Sequence, residues 1–251
     1  MTDRRRVVWF SCGISSAVAA RHVVQKISGG HDVRVVYCDV SSSEHPDNMR
    51  FLRDIEVWIG QRIEIIASRR YVDVDDVISR TRYMSGPSGA RCTVELKKVP
   101  RFEYQRCDDI HVFGFTADEI PRVTRFVKQN PELATEWPLV DGGVTKLACR
   151  DILARAQIRL PAMYELGYGH NNCLGCVKAT GAAYWRKIRH DFPAVYRRRC
   201  EQSRGLGVRL VQWRGERIYL DTLPPDGDDM TDGGEDMTCG PECVAAVGDE
   251  R

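Results

Sequence analysis

The stretch Val7–Ala20, VVWFSCGISSAVAA, constrains the fold more than any other part of the chain. Its apolar start, Val7–Phe10, predicts a buried strand, and Ala17–Val24 predicts a helix packed against a sheet. The small polar residues between them form a turn, and a helix that follows such a turn offers free N–H groups and a positive dipole end to an anion. Because the turn lacks the Gly spacing of dinucleotide folds and the Gly-Lys-Ser/Thr of a Walker loop, an ordinary strand–helix turn stays equally open.

Strands and helices alternate along the rest of the chain. We predict strands at 32–39, 62–67 and 109–115, an extended piece at 136–139, helices at 48–59, 72–82, 93–105, 122–130, 146–156 and 182–203, and a β-hairpin over 208–220. Asp47 is the predicted N-cap of helix 48–59, and Pro100 is expected to break helix 93–105. This order predicts an α/β fold, a mostly parallel sheet flanked by helices with a C-terminal β-hairpin.

The predicted domain spans residues 1–223, and the Asp- and Gly-rich segment 224–251 is predicted to be a flexible acidic tail. From Asp221 onward the chain has ten acidic residues and one basic residue, which leaves 36 basic and 25 acidic residues, a net charge of +11, in residues 1–220. A basic body suits an anionic ligand such as a nucleotide or a nucleic acid, although a generic solvated surface explains it equally well.

The N-terminal sequence and the cysteine content indicate the cellular compartment of the protein. No apolar run is long enough to span a bilayer, and Met1–Arg6 leads directly into a strand and not into a signal peptide, so we expect a cytoplasmic protein without a membrane partner. Ten cysteines are many for such a chain. In a reducing compartment they favour metal binding or thiol chemistry over disulfides.

Polar or Gly-rich residues follow three of the predicted strands. Ser11–Ser16 follows the first strand, Asp39 the second, and Gly114–Glu119 the fourth. Because parallel sheets bind ligands beyond the carboxyl ends of their strands, these segments are expected to meet at one edge and to form a nucleotide site.

The pair Cys173 and Cys176 forms a Cys-x-x-Cys motif that suits zinc, an iron–sulfur cluster or a redox pair. Cys92, in the loop before helix 93–105, makes a third thiol available. A zinc site would require a fourth ligand, for which His170 is close in sequence.

Six segments in chain order resemble the phosphoadenosine phosphosulfate reductase branch of the PP-loop superfamily, whose members are similar to adenine nucleotide α-hydrolases. The resemblance covers roughly residues 7–200. It rests on Ser11–Ala17 as phosphate loop, Tyr37–Asp39 as second-strand acid, Arg91–Pro100 as a Cys-Cys-x-x-x-Lys-x-x-Pro segment, Gly114–Glu119 as Gly-x-Arg-x-x-Glu, Trp137–Leu139, and Asn172–Cys176 as the later Cys-x-x-Cys.

Three positions depart from the pattern of that superfamily. Its ATP pyrophosphatases carry Ser-Gly-Gly-x-Asp-Ser, whereas here Cys12 replaces a Gly and Ser15 replaces the Asp that helps to hold a metal on the pyrophosphate. This weakens the expectation of ATP cleavage and leaves a Mg²⁺ ion open. The Arg of Gly-x-Arg-x-x-Glu is replaced by Phe115 or Thr116, and the tandem Cys-Cys is reduced to a single Cys92.

The resemblance implies a set of site residues and a cofactor. The expected nucleotide-binding residues are Ser11, Cys12, Gly13, Ser15, Ser16, Asp39, Gly114, Thr116, Glu119, Arg122 and Lys178. Lys97, Lys98 and Arg125 are further candidates to neutralise phosphate or sulfate. The implied cofactor is a [4Fe–4S] cluster on Cys92, Cys173 and Cys176. Reductases of this family carry a nucleophilic cysteine near the C-terminus, for which Cys239 and Cys243 are the candidates; an incidental role for both stays open.

Three functions are compatible with these features. The first is a reductase-family enzyme that binds adenylyl sulfate or ATP, reduces or transfers sulfur, and uses a reductant or sulfur-donor protein. The second is an ATP-dependent thiolase of a nucleic-acid base, for which the cations and aromatics of helix 182–203 are a candidate contact surface. The third is a nucleotide-binding module without catalysis. The sequence leaves the oligomeric state open.

Overall fold

The computed structural model describes residues 4–26, 32–86 and 89–225, and the segment after residue 225, including Cys239 and Cys243, lies outside the described residues. Five strands, β1 (Arg6–Phe10), β2 (Val33–Cys38), β3 (Ile63–Ile66), β6 (Ile110–Val112) and β7 (Ala134–Glu136), form one sheet in the order β3-β2-β1-β6-β7. All four pairings are parallel. The predicted α/β fold with a parallel sheet is therefore confirmed.

Eleven α-helices are present in the described ranges. They are α1 (Ile14–Lys26), α2 (Asn48–Ile59), α3 (Val74–Thr81), α4 (Arg91–Thr93), α5 (Val99–Tyr104), α6 (Ile120–Gln129), α7 (Pro138–Asp141), α8 (Lys146–Arg155), α9 (Ala162–Glu165), α10 (Ala182–Asp191) and α11 (Pro193–Gly205). Two short hairpins complete the fold, β4 (Ser85–Gly86) with β5 (Gly89–Ala90), and β8 (Val211–Trp213) with β9 (Glu216–Ile218). None of these helices has the length and apolar character that crossing a bilayer requires.

The two faces of β1 explain where the core lies. Val8 and Phe10 belong to the larger cluster, which also contains the buried side chains of α1 and α2, whereas Val7 and Trp9 belong to a second, aromatic cluster. Successive side chains of a strand point to opposite faces, so a strand covered on both sides is apolar throughout. The continuous apolar run that predicted this strand reflects that double burial.

Four local predictions were wrong, each for a physical reason. Asp47 is itself in a helical conformation and does not cap α2, because its carboxylate instead binds the guanidinium of Arg50 and the N–H of Ala162. Pro100 does not break its helix: α4 continues through a π-helical turn at Val94–Lys98 into α5. The wider π turn accommodates a residue that lacks an N–H and crowds the preceding carbonyl.

The other two errors concern proline and short strands. The predicted helix 182–203 is two helices, because Pro193 starts α11 after a break at Phe192. The predicted extended piece 136–139 is the end of the edge strand β7 followed by the helical turn α7, which Pro138 begins.

Candidate functional site

The turn between β1 and α1, residues Ser11–Ser16, is called the phosphate loop below. The hydroxyl of Ser16 accepts a hydrogen bond from the N–H of Ser11 at 3.1 Å and donates one to the carbonyl of Gly13 at 2.9 Å. Ser15 is hydrogen-bonded to the thiol of Cys149, whose pKa burial raises to about 12. Both serines therefore shape the loop, and its backbone N–H groups at the start of α1 are suited to bind an anion.

A cavity of about 800 Å³ opens beside the phosphate loop, at the carboxyl ends of β1 and β6. We call it the nucleotide cavity. Nine of the eleven predicted nucleotide-binding residues line it: Ser11, Gly13, Ser15, Ser16, Gly114, Thr116, Glu119, Arg122 and Lys178. The structure thus places the first and fourth strand ends together, as the parallel order requires.

The two other predicted residues, Cys12 and Asp39, are not among those that line the nucleotide cavity. Cys12 is fully buried, and its thiol lies 3.8 Å from the carbonyl oxygen of Asn48. Its φ of 54° is in the left-handed region, which explains why a Gly suits this position in the resembling motif. The Asp39 carboxylate accepts hydrogen bonds from the N–H and the hydroxyl of Ser41, at 3.0 and 2.6 Å.

Four cationic side chains line the nucleotide cavity: Arg122, Arg125, Lys146 and Lys178. Arg122 is paired with the carboxylate of Glu119 and stacks on the ring of Phe115, 4.5 Å from its centroid. Sequence reasoning missed Lys146, which starts α8, because a single Lys at a helix start carries no signal. Asp118 and Glu119 also line the cavity, so its charged side chains sum to about +2, which suits an anionic ligand.

The segment that follows β6 is built around the carboxylate of Glu119. Thr116 and Glu119 form a capping box, in which the Glu119 carboxylate accepts bonds from the N–H and the hydroxyl of Thr116, at 3.1 and 3.2 Å. The same carboxylate forms an ion pair with Arg122, so Glu119 orients both the loop and the first turn of α6.

An aromatic cluster borders one side of the nucleotide cavity. Trp9, Phe115 and Phe126 line the cavity, and Phe113 and Trp137 stack behind them, with 5.4 Å between their ring centroids. Trp137 is the aromatic residue of the predicted Trp-Pro-Leu segment, and its role here is packing. All three lining rings are buried, so the cluster gives this side of the cavity an apolar wall against which a base can pack.

The cysteines that were predicted as cluster ligands also meet. Cys92, Cys173 and Cys176 line a second, small pocket of about 20 Å³, which we call the cysteine pocket. All three are thiols and not disulfides. Lys97, Lys178 and Arg199 line the same pocket. Lys178 is shared with the nucleotide cavity and joins the two sites.

Hydrogen bonds to its backbone groups fix the loop that carries Cys173 and Cys176. Arg199 donates to the carbonyl of Gly175 at 3.0 Å, and the N–H of Cys176 donates to the Tyr184 hydroxyl at 2.8 Å. Gly175 has a φ of +60°, and a Cβ there would lie 2.7 Å from Cγ1 of Val195. The Gly of Cys-Leu-Gly-Cys is therefore required by both conformation and space.

The described residues contain no group of three or more His, Cys, Asp or Glu side chains placed to hold a metal ion. A zinc site needs its thiolates within about 2.3 Å of one ion, so this arrangement gives no support for mononuclear zinc. His170 lies 3.2 Å from Lys146 and lines the nucleotide cavity and not the cysteine pocket. The same finding applies to the [4Fe–4S] cluster on Cys92, Cys173 and Cys176, which stays a prediction.

The cations of α10 and α11 are largely used within the protein. Arg189 donates to the carbonyl of Leu223, and Arg204 to the carboxylate of Asp221. Arg198 and Arg199 both bind Asp75 of α3. The pattern that suggested a nucleic-acid surface thus has a structural explanation.

Comparison with known proteins supports the fold. No family model and no curated protein matches the chain. Among solved structures, the chain is similar to a phosphoadenylyl-sulfate (PAPS) reductase from Candida auris determined as a phosphate complex, with a TM-score of 0.51 and 9% sequence identity. The match covers 69% of this chain and 82% of that chain.

Proposed function

We propose that the protein is an enzyme of sulfur metabolism that binds an adenine nucleotide in the nucleotide cavity and reduces or transfers its sulfur. The observation that carries the proposal is the position of Lys178, which lines both the nucleotide cavity and the cysteine pocket. A substrate whose phosphate lies on the phosphate loop can therefore extend an anionic, sulfur-bearing end past this ammonium group toward the thiols. The similarity to a PAPS reductase fold supports the same chemistry.

The phosphate end of the substrate is bound by the backbone. The N–H groups at the start of α1 donate to the phosphate oxygens, and the helix dipole favours the charge. Arg122 and Arg125 neutralise further oxygens, since a guanidinium binds phosphate and sulfate in a bidentate manner. The adenine ring packs against the apolar wall of the cavity that Trp9 and Phe115 form.

In the proposed reaction with adenylyl sulfate, a thiolate attacks the sulfur atom. A sulfur–sulfur bond forms, the bond from sulfur to the phosphate oxygen breaks, and AMP leaves with the electron pair. A dithiol reductant then attacks the thiosulfonate, releases sulfite and becomes a disulfide, which supplies the two electrons. We propose Cys239 or Cys243 as the nucleophile, because the reductases that the sequence resembles carry a nucleophilic cysteine near the C-terminus; both residues lie outside the described ranges.

The cofactor in this proposal is a [4Fe–4S] cluster held by Cys92, Cys173 and Cys176. The three thiols that line the cysteine pocket, with Lys97, Lys178 and Arg199 on the same lining, support this assignment. When bound, the cluster supplies redox or sulfide-carrying chemistry. The chain's own residues position the substrate: Lys178 holds the anionic end, and Arg199 fixes the loop of Cys176 through the carbonyl of Gly175.

The test uses protein purified without oxygen, adenylyl sulfate and a dithiol reductant. We expect AMP and sulfite in equal amounts, and iron and sulfide near four per chain that are lost in Cys176→Ala, since a four-iron cluster holds about four of each. Lys178→Gln is expected to lower kcat/KM by about tenfold or more, because it removes a charge-assisted bond. Lys128→Gln is the control, an exposed Lys on α6 outside the cavity.

Two results would overturn the proposal. If adenylyl sulfate neither binds nor turns over, and AMP forms from ATP only when RNA or DNA is added, the protein is a base-modifying thiolase. If nucleotides bind but no AMP, sulfite or pyrophosphate forms under any of these conditions, the protein is a binding module without catalysis.

A further inference from the structure

We propose that Asn171 recognises the sugar of the bound nucleotide, with its side-chain oxygen accepting a hydrogen bond from a ribose hydroxyl. This inference rests on the proposed function, because it names the part of the nucleotide that this residue contacts. Asn171 lines the nucleotide cavity but is only 7% exposed. Its Oδ1 atom is buried and has no hydrogen-bond partner among the described residues. A buried amide oxygen without a partner is rare in folded proteins and calls for a donor from outside the protein.

The orientation of the Asn171 amide is set by its neighbours. Its Nδ2 donates to the carbonyl oxygen of Cys12 at 2.7 Å and to Oδ1 of Asn48 at 2.9 Å. A flipped amide would place its oxygen against both of these oxygens, with no proton between them. The Nδ2 atom therefore has both of its partners within the protein, and Oδ1 is the atom that is left to accept a bond from a ligand.

A buried chain of hydrogen bonds fixes Asn48 in turn. Asn48 donates through Nδ2 to the carboxylate of Glu44 at 2.7 Å, and the hydroxyl of Tyr37 donates to the same oxygen at 2.9 Å. A carboxylate only accepts, so Asn48 turns its NH₂ toward Glu44 and its oxygen toward Asn171. Tyr37, Glu44 and Asn48 are all buried, so the core fixes which atom of the Asn48 amide donates and which accepts. Such a buried network, when satisfied, holds a single geometry.

The sugar is the ligand group that matches this acceptor. An amide oxygen accepts and cannot donate, so it does not pair with a phosphate oxygen. The bond to the Cys12 carbonyl places Asn171 against the phosphate loop, and the ribose is the part of a nucleotide that is attached to the phosphate. Cys12 and Asn48, the partners of Nδ2, are not among the residues that line the cavity, whereas Asn171 is. The remaining donors near a loop-bound phosphate are the 2′- and 3′-hydroxyls.

The test compares AMP with its 2′-deoxy and 3′-deoxy analogues, and with purine riboside 5′-monophosphate, by calorimetric titration of the wild-type protein. We expect one deoxy analogue to bind about five- to tenfold more weakly than AMP, which is the size of one neutral hydrogen bond. In Asn171→Ala the ratio of the Kd of that deoxy analogue to the Kd of AMP is expected to fall to about one. Lys128→Gln, an exposed substitution on α6 outside the cavity, is expected to keep the wild-type ratio.

This ratio of Kd values separates ligand recognition from a structural role of Asn171. A loosened phosphate loop would weaken the binding of AMP and of its analogues equally and leave the ratio unchanged. Equal binding of AMP and both deoxy analogues to the wild type would overturn the inference and leave the proposed function standing. A penalty only for the riboside that lacks the 6-amino group would also overturn it, since the acceptor would then contact the base. If AMP itself does not bind, the proposed function fails and the inference fails with it. The wild-type titrations decide these outcomes even if Asn171→Ala does not fold.

Discussion

Gly114 packs directly on the backbone of Ser16: a Cβ at position 114 would lie 2.6 Å from Cα and 2.7 Å from N of Ser16. The end of β6 and the start of α1 therefore approach each other more closely than any other residue type allows. Gly114, which also lines the nucleotide cavity, thus permits the close packing of this strand end against the phosphate loop.

Gly114→Ala is expected to displace the phosphate loop, because the contact is with backbone that cannot rotate away. We expect a loss of about 1 to 3 kcal/mol in the free energy of unfolding, the usual cost of overpacking, and at least a tenfold loss of AMP affinity. Urea unfolding and calorimetric titration measure the two effects. Gly205→Ala, at the end of α11 with no atom within 4 Å of its added Cβ, is the control and is expected to be neutral or slightly stabilising. Equal effects of the two substitutions would contradict the role given to Gly114.

Arg125 and Lys128 lie on the same helix and differ in their relation to the nucleotide cavity. Arg125 lines the cavity and Lys128 does not. Arg125→Gln is expected to weaken AMP binding by about tenfold and to reduce its salt dependence, because one charge-assisted bond to phosphate is lost. Lys128→Gln changes the net charge equally and is expected to leave the affinity within about twofold. Titrations at low and high salt check both, and similar losses in the two variants would mean that only the overall charge matters.

Arg198 and Arg199 bind the same carboxylate, Asp75, from different environments. The side chain of Arg199 is 4% exposed and that of Arg198 is 52% exposed. Arg199→Met is expected to cost about 3 kcal/mol of unfolding free energy, because it leaves buried polar groups unpaired, including the carbonyl of Gly175. Arg198→Met is expected to cost less than about 1 kcal/mol, as for exposed ion pairs.

The variants Arg199→Met and Arg198→Met also test how the loop of Cys176 is held in the cysteine pocket. Because Arg199 holds the loop of Cys176, Arg199→Met is expected to increase the rate at which a thiol reagent modifies the metal-free protein, whereas Arg198→Met is not. An unchanged rate in Arg199→Met would show that the loop is held by other contacts.

His111 makes the stability depend on pH. It is fully buried, and burial lowers its pKa to about 4, with the charge of Arg101 adding to the effect. Its Nδ1 accepts a bond from the indole N–H of Trp9 at 3.1 Å, so a proton there would lose that bond. The unfolded chain takes up the proton near pH 6.5 and the folded chain only near pH 4, so stability falls as the pH drops between these values.

We expect the wild type to lose about 2 to 3 kcal/mol more than His111→Gln between pH 7.5 and 4.5, as this difference in pKa requires. Urea unfolding at a series of pH values measures it. Parallel pH profiles of the two proteins would show that the pKa of His111 is not lowered in the fold.

The sequence predicts the sheet and most of the site because these depend on local patterns. Apolar runs such as Val7–Phe10 identify strands that are buried on both faces, and small or polar residues after them mark the carboxyl edge where ligands bind. Ser11–Ser16, Gly114 and Glu119 could be assigned in this way. The meeting of Cys92 with Cys173 and Cys176 came from the resemblance, since no local pattern joins residues so far apart in the chain.

The remaining features depend on tertiary contacts. Asp47 has the composition of an N-cap, but its bonds to Arg50 and to the N–H of Ala162 decide its conformation. Asn171 gives no signal in the sequence beyond its place before the Cys-x-x-Cys. Its importance follows from Asn48 and Cys12, more than 120 residues earlier in the chain, which fix its amide.

The structure of a complex with AMP tests the central claim most directly, because the account assigns the phosphate to one loop. It predicts the phosphate oxygens within hydrogen-bond distance of backbone N–H groups of Ser11–Ser16, with the adenine against the aromatic side of the cavity and the sugar beside Asn171. A nucleotide bound elsewhere, or a phosphate held only by surface cations away from this loop, would contradict the account.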